Sequence, residues 1–359
     1  MSSATICEAV LQDGRTLPYV LVKDPPKGGM KHTYFAPDKS YVVQFYNDPK
    51  VGEYPETKRR VEAIIGKYNP TRSEAAGGAI GNSEKTASYF SKYFCWPMAI
   101  VKEPAFGIVC PTYPANFFFD AGASDQLKLK GKDKKSSWFT SRNRKYLNLV
   151  ELGDFRSMLQ MSLILARSIR RMHLAGLAHS DLSPNNVLID PKTGTCIIID
   201  IDSLVVPGIF PPEVVGTRGY IAPEVLETAY LPYGDPGRKL PSIYTDLHAM
   251  AVLIYQYLFF RHPLEGPKVF SEDPDKDDFL AMGPGALFIE NPFDTSNRPG
   301  NLSLTIQDFG LVLERLFLRA FVDGLHEPKN RPTAIEWEKG LAQTWDLLYP
   351  CENPSCAAK

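Results

Sequence analysis

The segment HSDLSPNN, residues 179–186, combines side chains that can take part in proton and metal chemistry, and Asp200 ends the apolar run CIIID that follows it. Phosphoryl transfer needs a carboxylate near the attacking hydroxyl and oxygen ligands that hold Mg²⁺ against phosphates. Asp181, Asn186 and Asp200 supply these groups, so the spacing predicts a phosphoryl-transfer site. A simple polar turn is the alternative, because Asp, Ser, Pro and Asn are all common in turns.

Three downstream segments decide between these readings. GTRGYIAPE ends at Glu224, TDLHAM contains Asp246, and NRPTA contains Arg331. Together with the first two motifs, this order and spacing resemble the protein kinase family, whose catalytic loop reads H-R-D-x-x-x-x-N and whose metal-binding motif reads D-F-G. The resemblance covers roughly residues 15 to 350 and is strongest in the second half.

The resemblance implies a role for each motif residue. Asp181 is the expected catalytic carboxylate, and Asn186 and Asp200 are the expected ligands of Mg²⁺ or Mn²⁺ beside ATP. Asp202 stands where the family has glycine, and either adds a carboxylate to the metal site or faces solvent. Structural roles are expected for His179, for Asp246 beneath the catalytic loop, and for a Glu224–Arg331 pair.

The phosphate-binding elements depart from the family pattern. Gln44, in SYVVQFY, stands where the family has a lysine, and an amide cannot supply that positive charge. KGGMKHTYF contains Gly28 and Gly29 but no G-x-G-x-x-G. We expect Lys31, on the loop above the phosphates, to replace the missing lysine; a lysine that merely faces solvent is the alternative.

Two further parts of the nucleotide site follow from the resemblance. The family's helix glutamate is expected at Glu62, with Glu56 as the second choice. The adenine-binding hinge is expected from Val109 to Tyr113, where Pro111 removes one backbone donor. An ordinary connection between lobes explains the same hinge residues.

The catalytic loop also lacks two basic residues of the family. Ser180 replaces the arginine before the catalytic Asp, which disfavours activation through a phosphorylated loop, and Ser183 replaces a lysine that faces phosphate. Thr217 is expected to contact Asp181 as its counterpart does in Ser/Thr kinases, unless it is a simple turn residue. This position favours Ser/Thr substrates.

The elements that must position these residues change along the chain. Up to residue 113, short apolar runs between Gly and Pro predict a β-rich N-lobe with strands in LPYVLVK, TYFAPDKSYVVQFY, WPMAIVKEP and AFGIVCPTY. This part also contains a helix in ETKRRVEAIIGKY and an expected mobile loop in TRSEAAGGAIGNSEKT. Residues 114–350 predict a mainly helical C-lobe, with helices in DFRSMLQMSLILARSIRRMHLAG, YTDLHAMAVLIYQYLFF, NLSLTIQDFGLVLERLFLRAF and PTAIEWEKGLAQTWDLL. The fold class is therefore α+β, with the bilobal architecture of protein kinases.

Three segments are less specific. A basic insertion at about residues 120–148, with KLKGKDKK and SRNRK, predicts a solvated surface loop or a site for a phosphate-rich partner. The acidic stretch SEDPDKDDF predicts another surface loop. In the tail, residues 351–359, Cys351 and Cys356 resemble half of a truncated zinc ribbon, and free thiols are the alternative.

Composition limits the class of partner. The 359 residues carry a net charge of −1, which gives no general attraction to nucleic acid or membranes. No apolar window is long enough to span a membrane, and the beginning of the sequence lacks a basic region followed by an apolar core. The six cysteines are scattered, so reduced thiols and a cytoplasmic location are expected.

The sequence thus predicts ATP-dependent phosphoryl transfer to Ser/Thr hydroxyls of a protein substrate, with an atypical phosphate-binding lysine. The alternative is a pseudokinase scaffold that binds nucleotide or partners without turnover. HSDLSPNN, the Asp-x-Asp motif and the cysteine-bearing tail also resemble bacterial stress-signalling kinases encoded with a metal-dependent phosphatase and a von Willebrand A-type protein, as in tellurite-resistance-like systems. That narrower resemblance implies the phosphatase and the von Willebrand A-type protein as partners.

Overall fold

The chain forms two compact units, one of which is discontinuous in sequence. Unit 1 comprises Met1–Ala115 and Ile198–Leu204, and unit 2 comprises Asn116–Ile197 and Val205–Lys359. The computed structural model describes residues 5–27, 30–120, 127–201, 204–206, 209, 216–349 and 352.

Unit 1 is built on a six-stranded antiparallel sheet. Its strands are β1 (Thr5–Leu11), β2 (Thr16–Leu21), β3 (Lys31–Phe35), β4 (Tyr41–Tyr46), β5 (Ala99–Glu103) and β6 (Gly107–Pro111), in the order β2-β1-β5-β6-β4-β3. Aromatic and β-branched side chains suit a pleated, half-buried surface, and they fill the core beside this sheet. That core contains Ala9, Leu11, Tyr19, Val43, Phe45, Val101 and Val109. β1 was not predicted, because exposed Ile6 breaks the usual apolar alternation.

Two helices complete unit 1, α1 (Pro55–Ile65) and α2 (Glu84–Phe90). The stretch between them, expected as a mobile loop, contains buried Ala79 and Asn82. The Asn82 amide donates to the carbonyl of Pro70 at 2.8 Å, and the Ser83 hydroxyl caps α2 by accepting from the Thr86 N–H. Buried polar groups of this kind are normally hydrogen-bonded, and these bonds fix the stretch in place.

Unit 2 is mainly helical in its described part. Its helices are α3 (Ser136–Thr140), α4 (Phe155–Leu174), α5 (Pro223–Glu227), α6 (Ile243–Phe259), α7 (Pro274–Met282), α8 (Gly310–Leu318) and α9 (Ala334–Asp346). β7 (Val187–Asp190) pairs with β8 (Thr195–Ile198). α6 is buried along nearly its whole length, as its apolar residues on every face predict. The Asp154 carboxylate caps α4 by accepting from the Ser157 N–H at 2.7 Å.

Two segments expected as surface loops contain features that a solvated loop lacks. The acidic stretch forms α7, because Asp273 caps it by accepting from the N–H groups of Asp275 and Lys276. In the basic insertion, Lys134 is only 3% exposed and forms ion pairs with Glu151 and Asp190. The acidic stretch is therefore a largely exposed helix rather than a loop, and in the basic insertion the expectation of solvation fails at Lys134. The exposed basic residues of the insertion are Lys128, Lys130, Lys132, Arg142 and Lys145.

The remaining general expectations concern cysteines and membranes. Among the described residues, Cys7, Cys95, Cys110 and Cys196 form no disulfide. Cys351 and Cys356 lie outside the described residues. Within the part of the chain that the structure describes, no helix has the length and apolar character that crossing a bilayer requires.

Candidate phosphoryl-transfer site

The loop predicted to be catalytic, residues 179–186, is attached to the central helix of unit 2 through Asp246. The carboxylate of Asp246 is 1% exposed, and its Oδ2 accepts from the backbone N–H of His179 at 2.8 Å. The same oxygen lies 3.0 Å from Nε2 of His173 on α4. A buried carboxylate needs such hydrogen-bond partners, so it fixes the start of the loop to both helices. His173 carried no signal in the sequence beyond its place in a helix.

Asp181 has both carboxylate oxygens engaged. Thr217 Oγ1 donates to Oδ1 at 2.7 Å, and Asn186 Nδ2 donates to Oδ2 at 2.9 Å. Asn186 Nδ2 also donates to the backbone carbonyl of Asp181 at 2.8 Å. Two donors on different oxygens fix the rotation of the carboxylate. The contact expected between Thr217 and Asp181 is present.

The backbone beside Asp181 adopts a rare conformation. Ser180 has φ of 63°, a left-handed region that non-glycine residues seldom occupy and that clusters at functional sites. Opposite it, Gly216 has φ of 122°, and a Cβ there would lie 3.2 Å from the carbonyl oxygen of Ser180. Glycine at 216 therefore permits the close approach of the two segments.

The two serines that replace basic residues of the family are buried. Ser180 is 9% exposed and Ser183 is fully buried, and neither hydroxyl has a hydrogen-bond partner among the described residues. Ser183 is thus not positioned as a solvent-facing substitute for the phosphate-facing lysine.

The segment that carries Thr217 is anchored on α6 and the loop after it. Tyr220 Oη donates to Oε1 of Gln256 at 2.7 Å, and Nε2 of His262 lies 2.8 Å from the carbonyl oxygen of Gly219. Burial raises the pKa of Tyr220, although the hydrogen bond to Gln256 opposes this effect. Burial lowers the pKa of His262, although the charge of Glu265 and the bond to Gly219 oppose it. These anchors had no recognisable sequence signal.

Arg331 and Glu224 form the expected pair. Arg331 Nη1 and Nη2 donate to the two oxygens of Glu224 at 2.8 and 2.7 Å, in the bidentate geometry that makes such pairs strong. The remaining donors of Arg331 bind the carbonyl oxygens of Tyr244, Gly324 and Leu325. The pair joins the end of the 216–224 segment to the chain before α9.

Unit 1 contains a second group of candidate residues, centred on Lys31. Lys31 is the first residue of β3, so the expectation that it lies on a loop is wrong. It is only 8% exposed, so the alternative of a solvent-facing lysine is also wrong. Its Nζ forms an ion pair with Oδ1 of Asp200 at 3.0 Å and lies 5.6 Å from the centre of the Tyr46 ring. Asp200 has φ of 61°, again in the left-handed region.

Gln44 and Lys31 lie on the same face of the sheet. In the β3–β4 register, Lys31 is opposite Tyr46 and Thr33 is opposite Gln44. Residues two apart on a strand share a face, and diagonal cross-strand neighbours lie about 7–8 Å apart. Gln44 Nε2 donates to Oγ1 of Thr33 at 3.2 Å. The lysine thus reaches the face of Gln44 from the adjacent strand.

The remaining predicted residues of the nucleotide site lie on α1 and on or just beyond β6, within unit 1. Glu62 lies on α1, where its Oε1 accepts from Gln12 Nε2 at 2.7 Å, and Glu56 lies in the first turn of the same helix. Val109, in β6, is buried, and its carbonyl accepts from the Met98 N–H at 2.7 Å.

The other predicted hinge positions lie at or beyond the end of β6. Pro111 ends this strand, and its carbonyl accepts from Cys95 Sγ at 3.5 Å. Tyr113 follows outside the strand. Gly28, Gly29 and Asp202 lie outside the described residues.

The chemistry of the predicted metal ligands fits Mg²⁺. Both hydrogen bonds recorded for the Asn186 side chain use its Nδ2 as donor, so the amide oxygen is the atom suited to bind a cation. The Asp200 carboxylate is 37% exposed, beside the lysine that holds it. Carboxylate and amide oxygens are the ligands that this hard cation prefers.

Sequence comparison identifies protein kinases as relatives. A family model described as the protein kinase domain matches residues 148–312. The serine/threonine-protein kinase RAD53 of Saccharomyces cerevisiae is 28% identical over 196 residues, which cover 52% of this chain and 21% of that protein. The bacterial serine/threonine-protein kinase PknD of Chlamydia felis is 27% identical over 139 residues, covering 33% and 14%. The chain therefore spans about a fifth or less of these relatives.

Solved structures show the fold. A rhoptry kinase from Toxoplasma gondii superposes with a TM-score of 0.57 at 14% identity, covering 95% of this chain and 83% of that one. ROP2 of the same organism, described as having a protein-kinase fold and no enzymatic activity, gives 0.54 at 13% identity, covering 95% and 84%. The predicted fold class, with a strand-rich N-terminal part and a helical C-terminal part, is confirmed.

Proposed function

We propose that this chain, which has the protein kinase fold, transfers the γ-phosphoryl group of ATP to serine or threonine hydroxyls of a protein substrate. The observation that carries the proposal is the Asp181 carboxylate, held on one oxygen by Thr217 and on the other by Asn186. A scaffold has no need for a carboxylate fixed in this way. Serine/threonine kinases among the relatives support the same substrate class.

In the proposed reaction, Asp181 orients the substrate hydroxyl and accepts its proton as the oxygen bonds to the γ-phosphorus. The bond from that phosphorus to the β–γ bridging oxygen breaks, and ADP leaves. Asn186 and Asp200 are the residues that would hold Mg²⁺, which would neutralise phosphate charge when bound. Catalysis of this kind depends on positioning and charge rather than on covalent chemistry.

Positive charge near the phosphates is assigned to Lys31. This lysine lies on the strand next to Gln44, on the same face, and its ammonium group contacts Asp200 at 3.0 Å. Because Asp200 is a candidate ligand of the metal ion that would bind the phosphates, its contact with Lys31 supports a position of the Lys31 ammonium group near those phosphates. Lys31 therefore takes the role that the family gives to a lysine at position 44.

A pseudokinase scaffold is the second candidate function. Gln44 in place of the lysine favours it, and ROP2 shows that a protein-kinase fold occurs without enzymatic activity. Under this alternative the chain binds nucleotide or a partner without turnover.

A narrower version of the proposal concerns partners and location. The resemblance to bacterial stress-signalling kinases implies a cytoplasmic enzyme whose product is dephosphorylated by a metal-dependent phosphatase, beside a von Willebrand A-type protein. Co-purification of those two proteins with the tagged chain tests it, and their absence from the purified complex contradicts it.

The main experiment measures transfer of label from γ-labelled ATP to a generic protein substrate, with Mg²⁺ or Mn²⁺. We expect label with the wild type, and none with Asp181→Asn or Lys31→Ala. Lys23→Ala, which removes an exposed lysine of the same unit, is the matched control and retains activity. Phosphoamino acid analysis checks for phosphoserine and phosphothreonine.

A rescue separates the lysine hypothesis from general damage. Adding Gln44→Lys to Lys31→Ala restores the lysine at the family's position, so activity returns if Lys31 supplies the missing charge. Thermal shift with ATP and Mg²⁺ is measured in parallel. Absence of label in the wild type contradicts the enzyme; a nucleotide-induced shift without label identifies a nucleotide-binding scaffold.

A further inference from the structure

The basic insertion contains a segment that lies directly against the strand following the catalytic loop. We call residues 127–140 the insertion segment. The Ile189 N–H of β7 donates to the carbonyl of Lys134 at 2.9 Å, and Lys135 forms an antiparallel bridge with Leu188. On its other side, the Lys134 N–H donates to the carbonyl of Phe117 at 2.7 Å. Backbone bonds on both sides hold the segment in register with β7.

The insertion segment also contacts the catalytic loop itself. Ser136 is fully buried, and its Oγ donates to the carbonyl oxygen of Pro184 at 3.1 Å. The N–H of Ser137 donates to the same oxygen at 3.3 Å. Pro184 lies between Asp181 and Asn186 in the sequence, so these bonds restrain the middle of the loop.

Buried charges fix the position of the segment. Lys134 Nζ lies 2.7 Å from the Glu151 carboxylate and 3.3 Å from Asp190 at the end of β7. Asp190 also accepts from Asn116 Nδ2 at 3.0 Å and from Thr193 Oγ1 at 2.7 Å. Removing one partner of a buried charge is strongly destabilising, so such a network holds its members in one arrangement.

We propose that the insertion segment fixes the geometry of the catalytic loop, with Ser136 as a positioning residue for Asp181 and Asn186. Asp246 fixes the start of the loop through His179. Ser136 fixes its middle through Pro184, and it acts without touching the substrate. The catalytic part of this inference rests on the proposed kinase activity, whereas the restraint on the loop does not.

The test compares Ser136→Ala with the wild type by two measurements. We expect kcat to fall roughly tenfold, as one lost hydrogen bond allows, while KM for ATP changes less than about twofold. Amide exchange of Leu182 and Asn186 should accelerate by a similar factor of roughly ten, because the loop opens more readily. A loss of overall stability alone would not produce this pattern.

Ser162→Ala is the matched control. Ser162 is also fully buried, and its hydroxyl donates to a carbonyl, that of Met158 at 2.9 Å within α4. This variant should leave kcat and loop exchange unchanged, and Ser136→Thr, which keeps the hydroxyl, should recover most of both. If Ser136→Ala does not fold, Ser136→Cys replaces it in both measurements.

The outcomes separate the two proposals. Faster loop exchange with lower kcat supports the positioning role. Unchanged loop exchange in a folded Ser136→Ala protein overturns it, whatever the activity. If the wild type transfers no phosphate, the proposed function fails, and loop exchange alone decides whether Ser136 restrains the loop.

Discussion

Replacing Arg331 with methionine should strongly lower the free energy of unfolding, because it removes one partner of a buried ion pair. The arginine side chain is 1% exposed and binds both oxygens of Glu224, at 2.8 and 2.7 Å. Methionine keeps much of the aliphatic volume but leaves a carboxylate and three backbone carbonyls without their donor. Breaking a buried pair in this way costs about 3–5 kcal/mol.

The assay is urea unfolding at pH 7, followed by tryptophan fluorescence and by circular dichroism. Two signals are needed because the chain has two compact units and two-state behaviour must be tested. In a separate thermal unfolding experiment, the melting temperature of Arg331→Met should fall by roughly 10 °C. This follows from about 2–4 °C per kcal/mol for a unit of this size.

The control is Arg319→Met, which removes a more exposed pair. Arg319 and Glu336 lie 2.6 Å apart, but their side chains are 41% and 39% exposed. Exposed pairs contribute at most about 1 kcal/mol. The reasoning is refuted if Arg331→Met and Arg319→Met lower the free energy of unfolding by the same amount. A double-mutant cycle with Glu224→Gln should show strong non-additivity.

Two other substitutions have defined outcomes. Burial, followed by the charge of Arg331, holds the pKa of His248 well below its usual value, so the folded chain keeps this ring neutral while the unfolded chain takes up a proton below pH 6.5. The wild type should therefore lose about 1 kcal/mol of stability through this group between pH 7.5 and 5.5, and His248→Leu should lose less, as measured by urea unfolding at both values. Thr217→Val removes the donor to Asp181 and should lower kcat roughly tenfold in the phosphate-transfer assay. Thr217→Ser keeps the hydroxyl and should retain activity. Equal rates for both variants would contradict the orienting role of Thr217.

Much of unit 2 could be predicted from the sequence because its motifs are specific. The contact of Thr217 with Asp181 and the pair of Arg331 with Glu224 join residues that were named from the order of short motifs. Long apolar patterns predicted α4 and α6, since a helix that must be buried shows this in its side chains.

The buried polar contacts that the sequence did not predict have a common physical cause. Lys134 is in a run of lysines and looks solvated, but its partners Glu151 and Asp190 come from distant parts of the chain. Lys31 likewise meets Asp200 only after folding, across 169 positions. Ser136 has no feature that separates it from other serines. Local patterns predict helices and strands, whereas tertiary contacts decide which polar residues are buried.

The discontinuous make-up of unit 1 has a consequence for biosynthesis. The Ile198 N–H donates to the Tyr93 carbonyl at 2.9 Å, and the Ile198 carbonyl accepts from the Cys95 N–H at 2.8 Å. The ion pair of Lys31 likewise cannot form until Asp200 has been synthesised. At about 5–20 residues per second, the ribosome adds residue 204 roughly 4 to 18 seconds after residue 115. The nascent N-terminal sheet therefore emerges before its last contacts exist, and it is during this interval that a chaperone or a protease would find it incomplete.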